Sequence, residues 1–325
     1  MARKFTVHTY NILSSHLSEA SWYNNCKPKN CDPKTRFNRI MKKLQKSIDN
    51  NAIIGLQELP RGWSGKFHVF FEERGYSMMD SLYGYAKNGY MGIAVAYPRG
   101  YFSLQDCEIF RVADKIRTPP ATITPTEPQQ NWIGSWFSWM NPFKKVQIEL
   151  PRPTVDVWDI CANRHNTAIF CRFRMKQSND IFCVATYHMP CVYQHPDVMV
   201  IHVSELMKQC KAHAGDDSLI VMGDYNILPD SSPYNLITKG NLDKSDSAYP
   251  PVNGNWKPDL DGPMKSAYVE VNGKEPSFTN HAGTSDTFTG TLDYIFYSGS
   301  LNPVATVGIP ELKGFPLMPN DTEPS

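Results

Sequence analysis

One apolar run, with the polar residues directly after it, constrains this 325-residue chain more than any other feature. Residues 219–222 (Leu-Ile-Val-Met) are typical of a strand buried on both faces of a sheet. Gly223 ends the run, and Asp224 and Asn226 follow. Because side chains alternate in extended backbone, we expect these two to point the same way, just beyond the carboxyl edge of a sheet. An isolated Asp-x-Asn is typically a turn former, so other parts of the chain must decide its role.

The remaining pattern predicts an α/β fold in one domain. Apolar runs predict strands at 5–10, 52–57, 92–97, 166–173, 181–187 and 292–297, and helical spacing predicts helices at 35–48, 67–74 and 196–212. No internal repeat or linker-like stretch divides the chain, so we expect a single domain over residues 1–325. The first helix has a basic face that is either a phosphate-binding surface or ordinary solvated surface. This face carries Arg36, Arg39, Lys42, Lys43 and Lys46.

Composition excludes several classes of protein. The formal net charge of +1 gives no global basic field for nucleic acid, although a local basic groove is compatible with it. The eight cysteines are scattered, and Cys26-x4-Cys31 has no matching second pair, which disfavours a zinc site. No apolar run reaches membrane-spanning length, and the N-terminus lacks a leader pattern. We therefore expect a cytoplasmic protein without a membrane span.

The region at about 115–159 departs from the layered pattern. It contains seven prolines and four of the seven tryptophans: Trp132, Trp136, Trp139 and Trp158. We interpret it as an insertion, long enough to suggest a function. Its aromatic side chains could stack on a base, lie in a lipid interface, or pack the insertion onto its own domain.

Polar residues stand at the ends of several predicted strands. Asn11, Glu58, His188, Asp224 and Asn226 each follow one, and Asp293 lies near the start of another. Singly, Asn11 could cap a turn and His188 could be a core histidine. Together, three carboxylates, two carboxamides and a histidine indicate one site built across a sheet.

These residue types favour metal-assisted hydrolysis of a phosphoester. Mg²⁺ prefers oxygen ligands and uses few carboxylates, with Mn²⁺ as a possible substitute. Glu58 is the best direct ligand, with Asn11 and Asp293 nearby. Asp224 could orient or deprotonate the attacking water, Asn226 could hold the water or the phosphate, and His188 could donate to a nonbridging oxygen. A zinc enzyme would need more histidine or cysteine ligands, and a nucleotide triphosphatase would need a glycine-rich loop with lysine.

Five motifs resemble, in order, those of the endonuclease/exonuclease/phosphatase superfamily. They are Thr9-Tyr-Asn-Ile-Leu13, Leu56-Gln-Glu-Leu59, Thr186-Tyr-His188, Gly223-Asp-Tyr-Asn226 and Leu292-Asp-Tyr-Ile-Phe296. Residues 275–280 and 288–296 look most like the branch of carbon catabolite repressor deadenylases, nocturnin, Angel and 2′,5′-phosphodiesterase. The resemblance implies a four-layered α/β sandwich, with two mainly antiparallel or mixed sheets between helices, and a Mg²⁺-dependent site at one edge. It also implies that Asn166 approaches the substrate phosphate and that Asn280 lines the nucleotide side.

The sequence departs from the family pattern at two places. The histidine motif continues Met-Pro-Cys191, which leaves the exact substrate open. The family pattern also closes with Ser-Asp-His, whereas this chain stops at Ser325. Since a positioned acid, base or charge stabiliser contributes about 10²- to 10⁴-fold in rate, we expect impaired activity in this polypeptide.

The sequence therefore predicts a Mg²⁺-dependent phosphodiester hydrolase, a 3′-end RNA exonuclease of deadenylase type. Two alternatives stay open. One is a phosphatase or phosphodiesterase acting on a small nucleotide or a lipid headgroup, and the other is a catalytically inactive binding protein of the same fold. The expected partner is RNA or a nucleotide substrate, and no motif indicates a protein partner.

Overall fold

The computed structural model describes residues 4–116 and 156–325. The strands are β1 (Val7–Asn11), β2 (Ile53–Leu59), β3 (Tyr76–Leu82), β4 (Gly92–Pro98), β5 (Phe102–Arg111), β6 (Thr167–Met175), β7 (Ile181–His188), β8 (Ser218–Asp224), β9 (Lys265–Ser266), β10 (Asn280–Ala282), β11 (Phe288–Gly290) and β12 (Asp293–Ser298). The helices are α1 (Pro28–Cys31), α2 (Pro33–Asp49), α3 (Arg61–Glu72), α4 (Val157–Ala162), α5 (Pro196–Ala214), α6 (Ser232–Lys239) and α7 (Ala267–Asn272).

Two sheets pack face to face with helices outside them, which confirms the predicted four-layered α/β sandwich. One sheet has the strand order β1-β2-β4-β3, and the other has the order β5-β6-β7-β8-β12-β9. Between the sheets lies an apolar core with members such as Ile53 and Val95 on one side and Val184 and Met222 on the other. Helices α2 and α3 pack on the four-stranded sheet, and α5 and α6 pack on the six-stranded sheet. Both sheets are mixed, because β1–β2 and β7–β8 are parallel pairs and their other neighbours are antiparallel.

The predicted elements are all present, but the pattern missed β3, β5, α6 and the short elements α1, α4, α7, β9, β10 and β11. Strand β3 is half-buried along most of its length, so it lacks the contrast between apolar and polar positions that marks a strand. The eight-residue helix α6 is too short to show a clear helical period. Helix α3 begins at Arg61, six residues before the predicted start. Its early glycines, Gly62 and Gly65, weaken the helical pattern there.

The insertion predicted at about 115–159 lies mostly outside the described residues, including Trp132, Trp136 and Trp139. Trp158 is described, and it is a buried side chain of α4. Its ring contacts Trp256 at a centroid distance of 5.0 Å, and its Nε1 donates to the Pro251 carbonyl at 3.2 Å. Trp158 therefore packs the end of this region onto the domain. Within residues 4–116 and 156–325, none of the helices has the length and apolarity needed to cross a bilayer.

The two sheets approach closely where β2 passes β7 and β8. A Cβ atom at Gly55 would lie 2.8 Å from Thr186 Oγ1 and 2.9 Å from Met222 Cε, so glycine permits this spacing. Two residues later Gln57 Nε2 donates to the same Thr186 hydroxyl at 2.9 Å. This buried polar contact fixes the register of one sheet against the other.

We expect Gly55→Val to destabilise the fold by about 1–3 kcal/mol, because it overpacks the space between the sheets. The control is Gly65→Ala in α3, where an added Cβ meets no atom within 4 Å among the described residues. That change should be neutral or stabilising by up to about 1 kcal/mol. Urea unfolding measures both, and a Gly55→Val protein as stable as the native one would contradict the close approach of the sheets.

Candidate active site

Three neighbouring strands place His188, Asp224 and Asp293 side by side at the same edge of the six-stranded sheet. Strands β7 and β8 are parallel, and their last residues, His188 and Asp224, are register partners. Strand β12 runs antiparallel to β8, so its first residue, Asp293, is also a register partner of Asp224. Gly223 allows this spacing, since a Cβ there would lie 1.9 Å from the Tyr187 carbonyl oxygen. The site therefore uses the ends of two strands and the start of a third.

Glu58 comes from the other sheet and lies within β2, one residue before its end. The sequence placed Glu58, like Asn11, His188 and Asp224, directly after a strand, whereas each of them is one of the last two residues of its strand. The register with β4 shifts between Gln57 and Leu59, and Glu58 has a φ of 59°. In a regular strand Glu58 would point away from the face that Gln57 occupies. The bulge turns Glu58 toward the second sheet, a common use of bulges beside active sites.

Asn11, the last residue of β1, joins the two sheets. Its Nδ2 donates to Glu58 Oε1 at 3.0 Å and to Asp224 Oδ2 at 2.8 Å. Its Oδ1 accepts from the Leu13 backbone N–H at 2.9 Å. The carboxamide thus uses its donors on the carboxylates and its acceptor on the following turn, so it fixes Glu58 and Asp224 relative to each other.

Asn166 and Asn226 hold the segment that carries His188. Asn166 Nδ2 donates to the His188 carbonyl, and Asn226 Nδ2 donates to the Met189 carbonyl, both at 2.8 Å. The spacing of Asp224 and Asn226 predicted extended backbone between them, and this prediction is wrong. Asn226 lies beyond β8 with a φ of 51°, and its backbone N–H donates to Asp224 Oδ1 at 2.9 Å. Its carboxamide therefore turns toward β7.

Asn280 begins β10, next to a residue whose role the sequence reasoning missed. Thr279 Oγ1 donates to Asp293 Oδ2 at 2.7 Å and accepts from the Asp293 backbone N–H at 3.1 Å. Asn280 Oδ1 is buried without a hydrogen-bond partner among the described residues. The motif Glu275-Pro-Ser-Phe-Thr-Asn280 contained Thr279, but no spacing rule identified its contact with a residue 14 positions away.

Two further residues at the site were also missed. The Ser14 backbone N–H donates to Glu58 Oε2 at 2.9 Å. The Tyr83 hydroxyl accepts from Asn166 Nδ2 at 3.4 Å, and burial together with the charge of Glu58 raises the pKa of Tyr83. Tyr83 follows β3, the strand that the apolar pattern did not reveal.

The site concentrates negative charge. Burial raises the pKa of Asp224, and Glu58 adds to the effect, while His188 and the hydrogen bond from Asn11 oppose it. The pKa of Asp293 is raised further, by burial and by the charges of Asp224 and Glu58. Each of these two carboxylates is therefore harder to ionise than one in water.

A hard divalent cation fits this donor set. In the part of the chain that the structure describes, no group of three or more His, Cys, Asp or Glu side chains is arranged so that it could hold a metal ion. Mg²⁺ needs only one or two carboxylates and keeps several waters. Among the described residues, Asp293 Oδ1 and His188 Nδ1 are buried without a hydrogen-bond partner. Because buried polar atoms are usually hydrogen-bonded, these two atoms are candidates for contact with a ligand. A cation would also offset the repulsion between Glu58, Asp224 and Asp293.

The basic face of α2 does not form a free phosphate-binding surface, one of the two alternatives left open. Arg36 is fully buried, Arg39 pairs with Asp321, and Lys43 pairs with Glu323. These cations hold the C-terminal segment, residues 318–325. Lys42 and Lys46 are exposed, as expected for a solvated face.

Replacing Asp293 by asparagine should stabilise the metal-free protein. Because the folded state disfavours ionised Asp293, the native chain in EDTA loses stability as the pH rises above the ordinary carboxyl pKa of 3.8. Asp293→Asn keeps the acceptor for Thr279 without the charge, so we expect a gain of about 1–3 kcal/mol at pH 7.5. Urea unfolding in EDTA measures this, with exposed Asp286→Asn as the control. Equal stability of native and Asp293→Asn proteins would contradict the electrostatic account.

Comparison with known proteins agrees with the resemblance that the motifs carry. Carbon catabolite repressor protein 4 homolog 2 of Arabidopsis thaliana is 26% identical over 345 residues, covering 91% of this chain and 51% of that protein. The CCR4-Not complex 3′-5′-exoribonuclease subunit Ccr4 of Neurospora crassa is 39% identical over 115 residues, covering 32% of this chain and 14% of that protein. The chain thus spans about half the length of the first relative and less of the second.

The fold is also found in solved structures. ANGEL2, a 2′,3′-cyclic phosphatase solved with adenosine-2′,3′-vanadate, matches with a TM-score of 0.63 at 20% identity, covering 89% of this chain and 82% of that chain. The sequence model of the Endonuclease/Exonuclease/phosphatase family matches residues 8–315. Enzymes of this family are hydrolases that generally use divalent metal ions. The chain therefore belongs to the endonuclease/exonuclease/phosphatase family.

Proposed function

We propose that this chain is a Mg²⁺-dependent phosphodiester hydrolase that acts at RNA 3′ ends, with Mn²⁺ as a substitute ion. One observation carries the proposal: the Asn11 carboxamide links Glu58 of one sheet to Asp224 of the other, beside Asp293 and His188. This arrangement offers oxygen ligands, a proton acceptor and a ring donor where the edges of the two sheets meet. Those are the groups that phosphoester hydrolysis requires.

The residues then divide the chemical work. Mg²⁺, when bound, polarises the phosphoryl oxygen and offsets the charge that develops there. Glu58 is the metal ligand, and Asn11 and Asp293 complete its surroundings. Asp224 orients the attacking water and takes up its proton, a role favoured by a raised pKa.

The remaining groups orient the water and the phosphate. Asn226, held by its bond to the Met189 carbonyl, presents its carboxamide oxygen to the water. Asn166 holds the backbone of His188 through the His188 carbonyl. The His188 ring donates to a nonbridging phosphate oxygen as negative charge develops there. Asn166 also approaches the phosphate, and Asn280 offers its buried oxygen to the nucleotide.

RNA is the preferred substrate class because the motifs of the deadenylase-type branch run through the whole site and a relative is named as a 3′-5′-exoribonuclease. A second candidate is a phosphatase or phosphodiesterase acting on a small nucleotide. The formal net charge of +1 favours it, since long nucleic acids usually meet a more basic surface.

The test is hydrolysis by the full chain with Mg²⁺. The substrates are an oligoadenylate, a mixed-sequence RNA, a 2′,5′-linked oligoadenylate, an RNA ending in a 2′,3′-cyclic phosphate and a nucleotide 2′-phosphate. We expect nucleotides to be released from the 3′ end of the oligoadenylate, with loss of activity in EDTA and a fall of about 10³-fold or more in Glu58→Ala. Exposed Glu108→Ala is the matched control and should keep native activity.

Each other outcome has a definite reading. If only the nucleotide 2′-phosphate or the 2′,3′-cyclic phosphate is hydrolysed, the proposed RNA exonuclease activity is wrong and the second candidate, a phosphatase or phosphodiesterase acting on a small nucleotide, takes its place. Metal binding without hydrolysis of any substrate would identify a binding protein.

A further inference from the structure

A buried arginine on α2 connects the turn after β1 to the C-terminal segment. Arg36 is 0% exposed, although it carries a charge. Its Nη2 donates to the Ile12 carbonyl at 2.6 Å and to the Leu13 carbonyl at 2.7 Å, and its Nε donates to the Pro324 carbonyl at 2.6 Å. Short charge-assisted hydrogen bonds offset the cost of burying the guanidinium. All three of these acceptors are backbone carbonyls and none is a carboxylate, so Arg36 holds the backbone of two segments.

The turn that Arg36 holds controls both oxygens of Glu58. Asn11 Nδ2 donates to Oε1 at 3.0 Å, and the Ser14 backbone N–H donates to Oε2 at 2.9 Å. Between them Leu13 has a φ of 49°, a region that residues other than glycine rarely adopt. Such a conformation persists only where its surroundings enforce it. The bonds from Arg36 to the Ile12 and Leu13 carbonyls supply that constraint.

We propose that Arg36 is a positioning residue for the metal site, acting through the turn of residues 11–14 that orients Glu58. This inference rests on the proposed function in taking a divalent metal as the ligand of Glu58. The planar fork of the guanidinium lets one side chain reach three carbonyls in two segments. A lysine would keep the charge but lose this geometry. Groups that orient a metal-binding side chain in this way usually affect metal affinity by about 10- to 100-fold.

Arg39 offers a matched control on the same helix. Its Nη1 donates to the Asn320 carbonyl at 3.2 Å, and its Nη2 pairs with Asp321 at 2.7 Å. It therefore holds the same C-terminal segment as Arg36, and none of its described contacts is with residues 11–14. A difference between variants at the two positions isolates the effect of the turn.

The experiment compares Arg36→Lys and Arg36→Met with Arg39→Met in the full chain. One readout is the Mn²⁺ dissociation constant, measured by electron paramagnetic resonance, and the other is amide hydrogen exchange of residues 12–15. Thermal melting followed by circular dichroism identifies the variants that fold. We expect Arg36→Lys to weaken Mn²⁺ binding by about 10-fold or more and to speed exchange of the Ser14 amide by a similar factor. Arg39→Met should change both by less than about twofold.

A folded Arg36→Lys protein with native Mn²⁺ affinity and a protected Ser14 amide would overturn the inference. If Arg36→Met fails to fold, the more conservative Arg36→Lys decides. If the native chain itself binds no Mn²⁺, the proposed function fails, and the exchange readout still decides whether Arg36 holds the turn: unchanged exchange in Arg36→Lys would then overturn the positioning role on its own.

Discussion

The hydrogen bonds of the Asn11 carboxamide make one site out of two sheets. A single Nδ2 group donates to Glu58 on its own sheet and to Asp224 on the facing sheet, at 3.0 and 2.8 Å. The two carboxylates repel each other, and a neutral donor lets them share a small space. This contact depends on the close approach of the sheets at Gly55 and on the bulge that turns Glu58 inward. Sheet packing and site geometry are therefore one constraint.

The same arrangement buries carboxylates close together, which is electrostatically unfavourable. Asp224 and Asp293 lie opposite each other on adjacent strands, and burial raises the pKa of both. The charge of Glu58 raises both pKa values further, and the charge of Asp224 also raises that of Asp293. The apolar cores on both faces of each sheet hold these groups together despite the repulsion. Perturbed carboxyl groups concentrated at one point are characteristic of functional sites. A divalent cation is the simplest group that would relieve the repulsion, in line with the family to which the chain belongs.

The sequence predicted the layered fold because buried strands and amphipathic helices leave clear apolar periods. It also predicted which polar residues meet, since His188, Asp224 and Asp293 mark strand ends that a sheet must align. Local backbone was beyond the pattern: the positive φ at Glu58 and Asn226 breaks the alternation on which the spacing argument depends. Contacts between distant segments were equally hidden. The hydrogen bond from Thr279 to Asp293 and the hydrogen bond from Arg36 to the Pro324 carbonyl depend on tertiary packing, which no local sequence period encodes.

The proposed function requires that one divalent cation binds where the two sheets meet, with Glu58 as its ligand. A crystal of the full chain soaked in Mn²⁺, with diffraction recorded at the manganese absorption edge, tests it most directly. We expect one anomalous peak bonded to a Glu58 carboxylate oxygen, with Asn11 and Asp293 beside it, and no peak at this place in Glu58→Gln crystals. A well-ordered site without manganese, or a peak bound elsewhere on the chain, would contradict it.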